Sequence, residues 1–320
     1  MFINNMSIVE HLYDLTVLDF KVLKPNRVIK LITNKGLKVL KKWNTDLVEI
    51  QYNNAINFIM QSKLSTVNIL ININNQRYFL YETNYYYLYD FIDGSNISSS
   101  EGENVLQAIN SLALMHKHMQ NLTINILDSK IKYDRLPKKI KGFSQEFETL
   151  NNQVKTHQSE VSNIFLNHYS YYKEQAIKGN MILPTLNEHL IYCQKVKQLC
   201  HGDSGLRNFI KSDSGIYIID LESFQYNTVI YDLIKFIKSL KWNTELIGNC
   251  LASYVKRSGY SNSDIILLLN ILNIPFEFIS YTTQYLKTGL DIYRLNLQKF
   301  IDYEDQKKSC ISHLIKSFSS

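Results

Sequence analysis

The sequence predicts an α+β fold in two lobes, a small antiparallel β lobe carrying one helix over residues 1–93 and a larger, mainly α lobe over residues 94–320. Three observations predict it. Over residues 17–92, β-branched and aromatic residues alternate with polar ones between turn signals. After Asp93-Gly94-Ser95 the apolar residues recur instead at three- and four-residue steps. The chain has 320 residues with 45% hydrophobic content, enough for one large domain or two small lobes.

Asn34-Lys35-Gly36 separates residues 27–33 from 37–42, and Asn74-Asn75 separates residues 67–73 from 76–82, so both stretches are predicted as hairpins. Between them, residues 45–63 lack turn residues and carry Leu47, Ile50, Ala55, Phe58 and Ile59 at helical spacing. The tyrosine-rich run 85–89 reads as strand alternation, not as a stacking platform for bases. Beyond residue 93, Ser100 and Glu103 form an S-x-x-E capping box ahead of Val105, Ile109, Leu112, Met115 and Met119. A second long helical pattern uses Phe147, Leu150, Val154, Val161, Phe165 and Tyr172, and the chain from Thr228 onward is again mainly helical.

The formal charge of +6 suits an anionic partner such as a nucleotide, and the scattered basic residues predict no nucleic-acid stripe. Cys193, Cys200, Cys250 and Cys310 show no C-x-x-C pairing, and no signal peptide is recognisable, which predicts reduced structural thiols in a cytoplasmic protein. The most apolar segment, residues 266–279, is interrupted by Asn270, Asn273 and Pro275, so no membrane span is predicted.

The chemistry is concentrated in Cys200-His201-Gly202-Asp203-Ser204-Gly205-Leu206-Arg207-Asn208 and in Ile218-Ile219-Asp220-Leu221-Glu222. Phosphoryl transfer from ATP needs a positioned hydroxyl nucleophile and neutralised phosphate charge. An Asp followed five residues later by Asn, with a second Asp at the end of the next strand, is the pattern that supplies both. Asp203 and Asn208 have that spacing, and Asp220 follows an apolar run. Asp203 is therefore the candidate base, with Asn208 and Asp220 as candidate Mg2+ ligands. Gly-Asp-Ser-Gly is also ordinary turn chemistry, and that reading stands beside the first. His201 reads as a packing residue of the loop. His116 and His118 read as core or exposed residues of a helix.

These residues resemble the aminoglycoside phosphotransferase superfamily of kinase-like enzymes, whose catalytic segment reads H-G-D-x-x-x-x-N and whose metal loop begins I-D. Within it, Gly205, Ile219-Asp220-Leu221 and Asp232-Leu233 are similar to the spore coat protein CotS family, with H-x-D-x-G-x-x-N followed by I-D-L and a D-L pair. The likeness spans about residues 18–240. It implies a protein-kinase-like fold, with Lys41 of Lys38-Val39-Leu40-Lys41 as the phosphate-contacting lysine and Lys42 as second choice. It further implies Glu49 as the partner carboxylate and a hinge at Tyr89-Asp90-Phe91-Ile92 whose Asp90 and Ile92 contact the nucleotide. ATP and Mg2+ are the implied cofactors, and an unknown hydroxyl compound is the acceptor. Other coat proteins are implied partners, with the mother-cell cytoplasm and the spore coat as locations. Two departures stand out: residues 24–27 contain no glycine, and Glu222 occupies the place of the glycine in D-F-G. Three functions follow from this reading: a CotS-like kinase, a non-catalytic coat scaffold, or a small-molecule kinase of choline, amino-alcohol or aminoglycoside type unconnected with spores.

Overall fold

The computed structural model describes residues 6–43, 46–61, 63–122 and 127–320. In chain order the elements are α1 (Met6–Tyr13), β1 (Val17–Lys24), β2 (Val28–Thr33), β3 (Gly36–Trp43), α2 (Leu47–Gln61), β4 (Phe79–Tyr81), β5 (Asn84–Asp90) and β6 (Ser95–Asn96). Then come α3 (Gly102–His118), α4 (Arg135–Thr156), α5 (Glu160–Met181), α6 (Leu183–Lys195), β7 (Leu199–Cys200), β8 (Phe209–Ser212), β9 (Gly215–Ile218) and β10 (Gln225–Tyr226). The chain finishes with α7 (Val229–Lys238), α8 (Thr244–Ser258), α9 (Asn262–Leu272), α10 (Phe276–Thr288), α11 (Asp291–Asp302) and α12 (Glu304–Ser319).

Two units interleave along this order. A β unit comprises Met1–Ser98, Thr123–Asp128 and Leu206–Phe224, and a helical unit comprises Ser99–Leu122, Ser129–Gly205 and Gln225–Ser320. The first boundary thus lies at Ser98, not 93, and Leu206–Phe224 fall in the β unit although local periodicity assigns them to the second lobe. Long-range pairing is the reason: Ser95 and Asn96 pair with Lys211 and Ile210, and Thr66 bridges Ile218. Gly94 permits this approach, because a Cβ there would stand 2.3 Å from the Lys211 carbonyl oxygen.

In the β unit an antiparallel sheet has the order β1-β2-β3-β5-β4. Asn34 and Lys35 form the expected two-residue turn, with Thr33 opposite Gly36 at φ 86°, a left-handed position that glycine takes without strain. The second expected hairpin forms only its turn, closed by the Asn72 N–H on the Gln76 carbonyl at 2.8 Å. Beyond the turn, both limbs bond the same strand. Leu70 N–H donates to Leu88, whereas Phe79 and Leu80 of β4 pair with Tyr86 and Tyr85 of β5. Strand alternation then sorts the faces. Leu31, Leu40, Tyr86 and Leu88 pack with Val9 and Tyr13 of α1, and Lys41, Trp43 and Tyr87 line a cavity with Asn53 and Asn57 of α2.

In the helical unit, α3 buries Val105, Ile109, Leu112 and Met115, as the spacing predicts. Its N-cap is Glu101, one residue later than the capping box expected from Ser100 and Glu103 places it. A capping box occurs at Ser261 and Asp264, ahead of α9. The second long pattern is two helices. The Ser159 side chain accepts from the Ser162 N–H and starts α5, whose Phe165 packs on Phe147 of α4 at a ring separation of 5.3 Å. The apolar run after Asn262 is likewise split into α9 and α10, with Leu268 and Phe278 buried.

His189 of α6 joins three helices: Nδ1 is 2.7 Å from Asp264, and Nε2 is 2.7 Å from the Oγ1 of Thr228, the N-cap of α7. Burial disfavours its charge, but the Asp264 carboxylate and Cys193 outweigh burial and raise the imidazole to about 9. A raised folded-state pKa stabilises fully below the unfolded value near 6.5, and the contribution is lost as pH rises through about 9. The stability difference between wild type and His189→Gln is therefore expected to shrink by on the order of 3 kcal/mol between pH 6 and pH 10. Urea denaturation at each pH measures it, and a difference that does not change with pH contradicts the assignment.

Candidate functional site

In the β unit the charged cluster begins at β3. The ammonium of Lys41 is ion-paired with Asp220 and lies 2.5 Å from Glu222 Oε1. Arg27 Nη2 donates to the other oxygen of Glu222 at 2.7 Å. The row Asp220, Lys41, Glu222, Arg27 therefore alternates in sign. Burial works against the Lys41 charge, but Tyr89, Glu222 and Asp220 outweigh it and hold the ammonium above its ordinary value. Glu222 is pushed up, first by burial and then, against the pull of Lys41, by Asp220. Alternation along β3 puts the two lysines on opposite faces, Lys41 toward Asp220 and Glu222 and Lys42 beside Leu40 and Tyr86.

Asn208 and Asp220 are brought to one end of the β8–β9 hairpin. Phe209 pairs with Ile218, and the Ile219 N–H donates to the Asn208 carbonyl at 3.0 Å. Asn208 is 4% exposed, and Asp220 sits in the left-handed region at φ 64°, an uncommon conformation for a residue other than glycine. An amide oxygen and a carboxylate are hard oxygen donors. They fit Mg2+, which takes one or two such protein ligands and keeps several waters.

The remaining nucleotide-side residues fall in different places. Glu49 is in the first turn of α2 and is not one of the two carboxylates paired with Lys41. From the same helix, Asn53 and Asn57 line the Lys41 cavity, each with a buried Oδ1 that has no hydrogen-bond partner among the described residues. Asp90 closes β5, and its carboxylate accepts from Lys38 at 2.7 Å and from Asn68 at 2.6 Å. Ile92 follows, half-buried, where the chain leaves the sheet. At the glycine-free turn between β1 and β2, Asn26 takes the left-handed position at φ 56°.

In the helical unit, Asp203 follows β7. Lys235 of α7 donates to the Gly202 carbonyl at 2.6 Å and to Asp203 Oδ1 at 3.1 Å. The loop is anchored by Asp232, which is fully buried in the first turn of α7. Its Oδ2 accepts from the His201 N–H at 2.6 Å, and its Oδ1 accepts from the Gly202 N–H at 2.9 Å. His116 Nε2–H also donates to Asp232 at 3.0 Å, which leaves Nδ1 to accept from the Tyr254 hydroxyl at 2.7 Å. Burial pushes the Asp232 pKa up, but His116, His201 and the Gly202 N–H outweigh it and hold the carboxylate below its ordinary range. His201 is buried, and its Nδ1 accepts from the Asp203 N–H at 3.2 Å, the loop-packing role that sequence reading assigned to it.

His116, Cys200 and Asp232 are the group of three ligand-type side chains that lie close together among the described residues. Cys200 Sγ donates to the Asn227 carbonyl at 3.2 Å, so each of the three already has a protein partner. Sequence reasoning missed the anchoring role of Asp232 and the contact made by Lys235. A lone Asp in the apolar first turns of α7, on its buried face, is the signal that could have revealed the first. Lys235 carried no signal.

No family model and no curated protein matches the sequence. Solved structures do match. The aminoglycoside phosphotransferase from Alicyclobacillus acidocaldarius subsp. acidocaldarius DSM 446 superposes with a TM-score of 0.87 at 14% identity, covering 97% of this chain and 95% of that one. Amicoumacin kinase hAmiN gives 0.62 at 13% identity, covering 95% and 92% of the two chains. The microcompartment-associated aminopropanol kinase gives 0.59 at 12% identity, covering 99% and 98%. The fold is that of the protein-kinase-like phosphotransferases.

Proposed function

We propose that the protein is an ATP-dependent phosphotransferase acting on a hydroxyl of a small molecule. The observation that carries the reading is the meeting of Lys41 with Asp220 and Glu222 beside the hairpin end that presents Asn208. Lys41 binds the nucleotide phosphates once these replace Asp220 at its ammonium, and Asp90 and Ile92 contact the nucleotide where β5 ends. Asn208 and Asp220 hold Mg2+, which supplies neutralisation of phosphate charge when bound. Glu222 takes the pairing role that the resemblance gave to Glu49. Asp203 accepts the proton of the acceptor hydroxyl, while Lys235 donates to its Oδ1 and Asp232 fixes the loop through His201 and Gly202. Among the structural neighbours, amicoumacin kinase hAmiN is in complex with AMP-PNP, Ca2+ and Ami, and spectinomycin phosphotransferase APH(9)-Ia with ADP and spectinomycin.

A second reading places the same chain in the spore coat, as a kinase or as a scaffold with coat proteins for partners, working in the mother-cell cytoplasm. Gly205, the I-D-L segment and Asp232-Leu233 favour it, and the glycine-free turn holding Asn26 favours the scaffold form.

Calorimetry with MgATP tests the nucleotide assignment. Wild type is expected to bind MgATP, whereas Asn208→Ala and Asp220→Ala lose binding with unchanged circular dichroism. Unaltered MgATP affinity in both variants overturns the metal roles, and a wild type that binds no MgATP leaves the scaffold.

A further inference from the structure

A cavity of about 380 Å³ opens in the helical unit at the end of α7, beside α10, α11 and α12. That volume is in the range of small-molecule sites. Lys238, Lys241, Lys299 and Lys307 line it, against the single carboxylate of Glu277. Glu277 is ion-paired with Lys238, and Lys307, 4% exposed, shares Glu304 at 3.3 Å. Lys241 and Lys299 have no ion-pair partner among the described residues. Trp242 and Phe300 supply flat apolar walls, with the Lys307 ammonium 6.0 Å and 5.2 Å from their rings. Lys241 and Trp242 are consecutive left-handed residues at φ 50° and 58°. Bulky side chains adopt that conformation only under constraint, and it recurs at ligand clamps.

Position ties the cavity to the reaction. Lys235 and Lys238 lie three residues apart on one face of α7, about 4.5 Å along its axis. The first contacts Asp203 and the second lines the cavity. Four ammonium groups facing two carboxylates repel a choline-like or aminoglycoside-like cation and attract a carboxylate or phosphate.

We propose that this cavity seats the phosphate acceptor, and that the acceptor is an anionic hydroxy compound. Lys241 and Lys299 hold its carboxylate or phosphate, and its ring or sugar face lies on Trp242. The inference rests on the phosphotransferase reading. In the transfer, the acceptor oxygen forms a bond to the γ-phosphorus of ATP and its proton goes to Asp203. The bridging β–γ P–O bond breaks, and ADP leaves with the electron pair.

The fluorescence of Trp242 provides a test that needs no turnover. Wild type and Trp242→Phe are titrated with D-gluconate and shikimate as carboxylates, with glucose 6-phosphate and glycerol 3-phosphate as phosphates, and with choline and glycerol as controls. At least one anion pair is expected to quench wild type but not Trp242→Phe, and the controls are expected to be silent; the responding pair separates carboxylate from phosphate recognition. The double variant Lys241→Gln/Lys299→Gln should bind at least about tenfold more weakly, the loss expected from one charge-assisted hydrogen bond. Quenching by choline alone, silence from all four anions, or unchanged anion binding in the double variant overturns the proposal. Calorimetry with MgATP on the same wild type separates the two readings. Anion binding without nucleotide binding keeps the cavity as an anion site and sinks the phosphotransferase reading, and nucleotide binding without any anion response sinks the cavity assignment alone.

Discussion

Replacing Asp203 with Asn is expected to lower phosphate transfer at least about a hundredfold, the low end of what a positioned general base contributes, while MgATP binding persists. The amide preserves size and can still accept from Lys235, which lies 3.1 Å from Oδ1 in the wild type. It cannot take the proton of an acceptor hydroxyl. Binding and turnover should therefore separate in this variant. Labelled ATP with an accepted substrate, or hydrolysis where none is accepted, gives the rate. Transfer within about tenfold of wild type would falsify the base assignment.

The other large effect concerns stability. Asp232→Ala removes a fully buried carboxylate that serves the His201 and Gly202 N–H groups and His116. Truncating one member of a buried charged network costs about 3–5 kcal/mol, because the donors left behind are neither paired nor solvated. Against a typical total of about 5–15 kcal/mol, that is about a fifth or more of the stability of an ordinary domain. Urea denaturation should show the loss as a lower midpoint with little change in slope. A midpoint equal to wild type would mean that the network is not coupled to the fold.

How much of this was legible beforehand depended on the range of the interaction. Alternation puts Lys41 and Lys42 on opposite faces of β3, and the sequence showed that much but not which face meets Asp220 and Glu222. The spacing of Asp203, Asn208 and Asp220 was equally readable, because one short hairpin accounts for it. Helical spacing located the buried stripe of α3, but it could not tell that Glu101, and not Ser100, would be the N-cap. Periodicity also merged α4 with α5, since their apolar stripes continue in phase across Ser159. Glu49 follows from placing the partner carboxylate on the helix after β3, where it is the only Glu, whereas the carboxylates that reach Lys41 arrive from about 180 residues downstream. Local pattern reports which face is buried; it carries no address for the segment that covers it.

The pairing of β6 with β8 has a consequence for the chain as it is made. Residues up to Ser98 leave the ribosome long before Leu206–Phe224, the segment that completes their unit. At elongation rates of about 5–20 residues per second, the interval is on the order of ten seconds. Throughout that time the edges that Thr66 and Ser95 offer to β9 and β8 have no native partner, while the helices of the other unit are already emerging. The nascent N-terminal sheet therefore lacks part of its native pairing until that segment is made. For the same reason, a gene fragment ending at residue 93 or 98 encodes an incomplete unit.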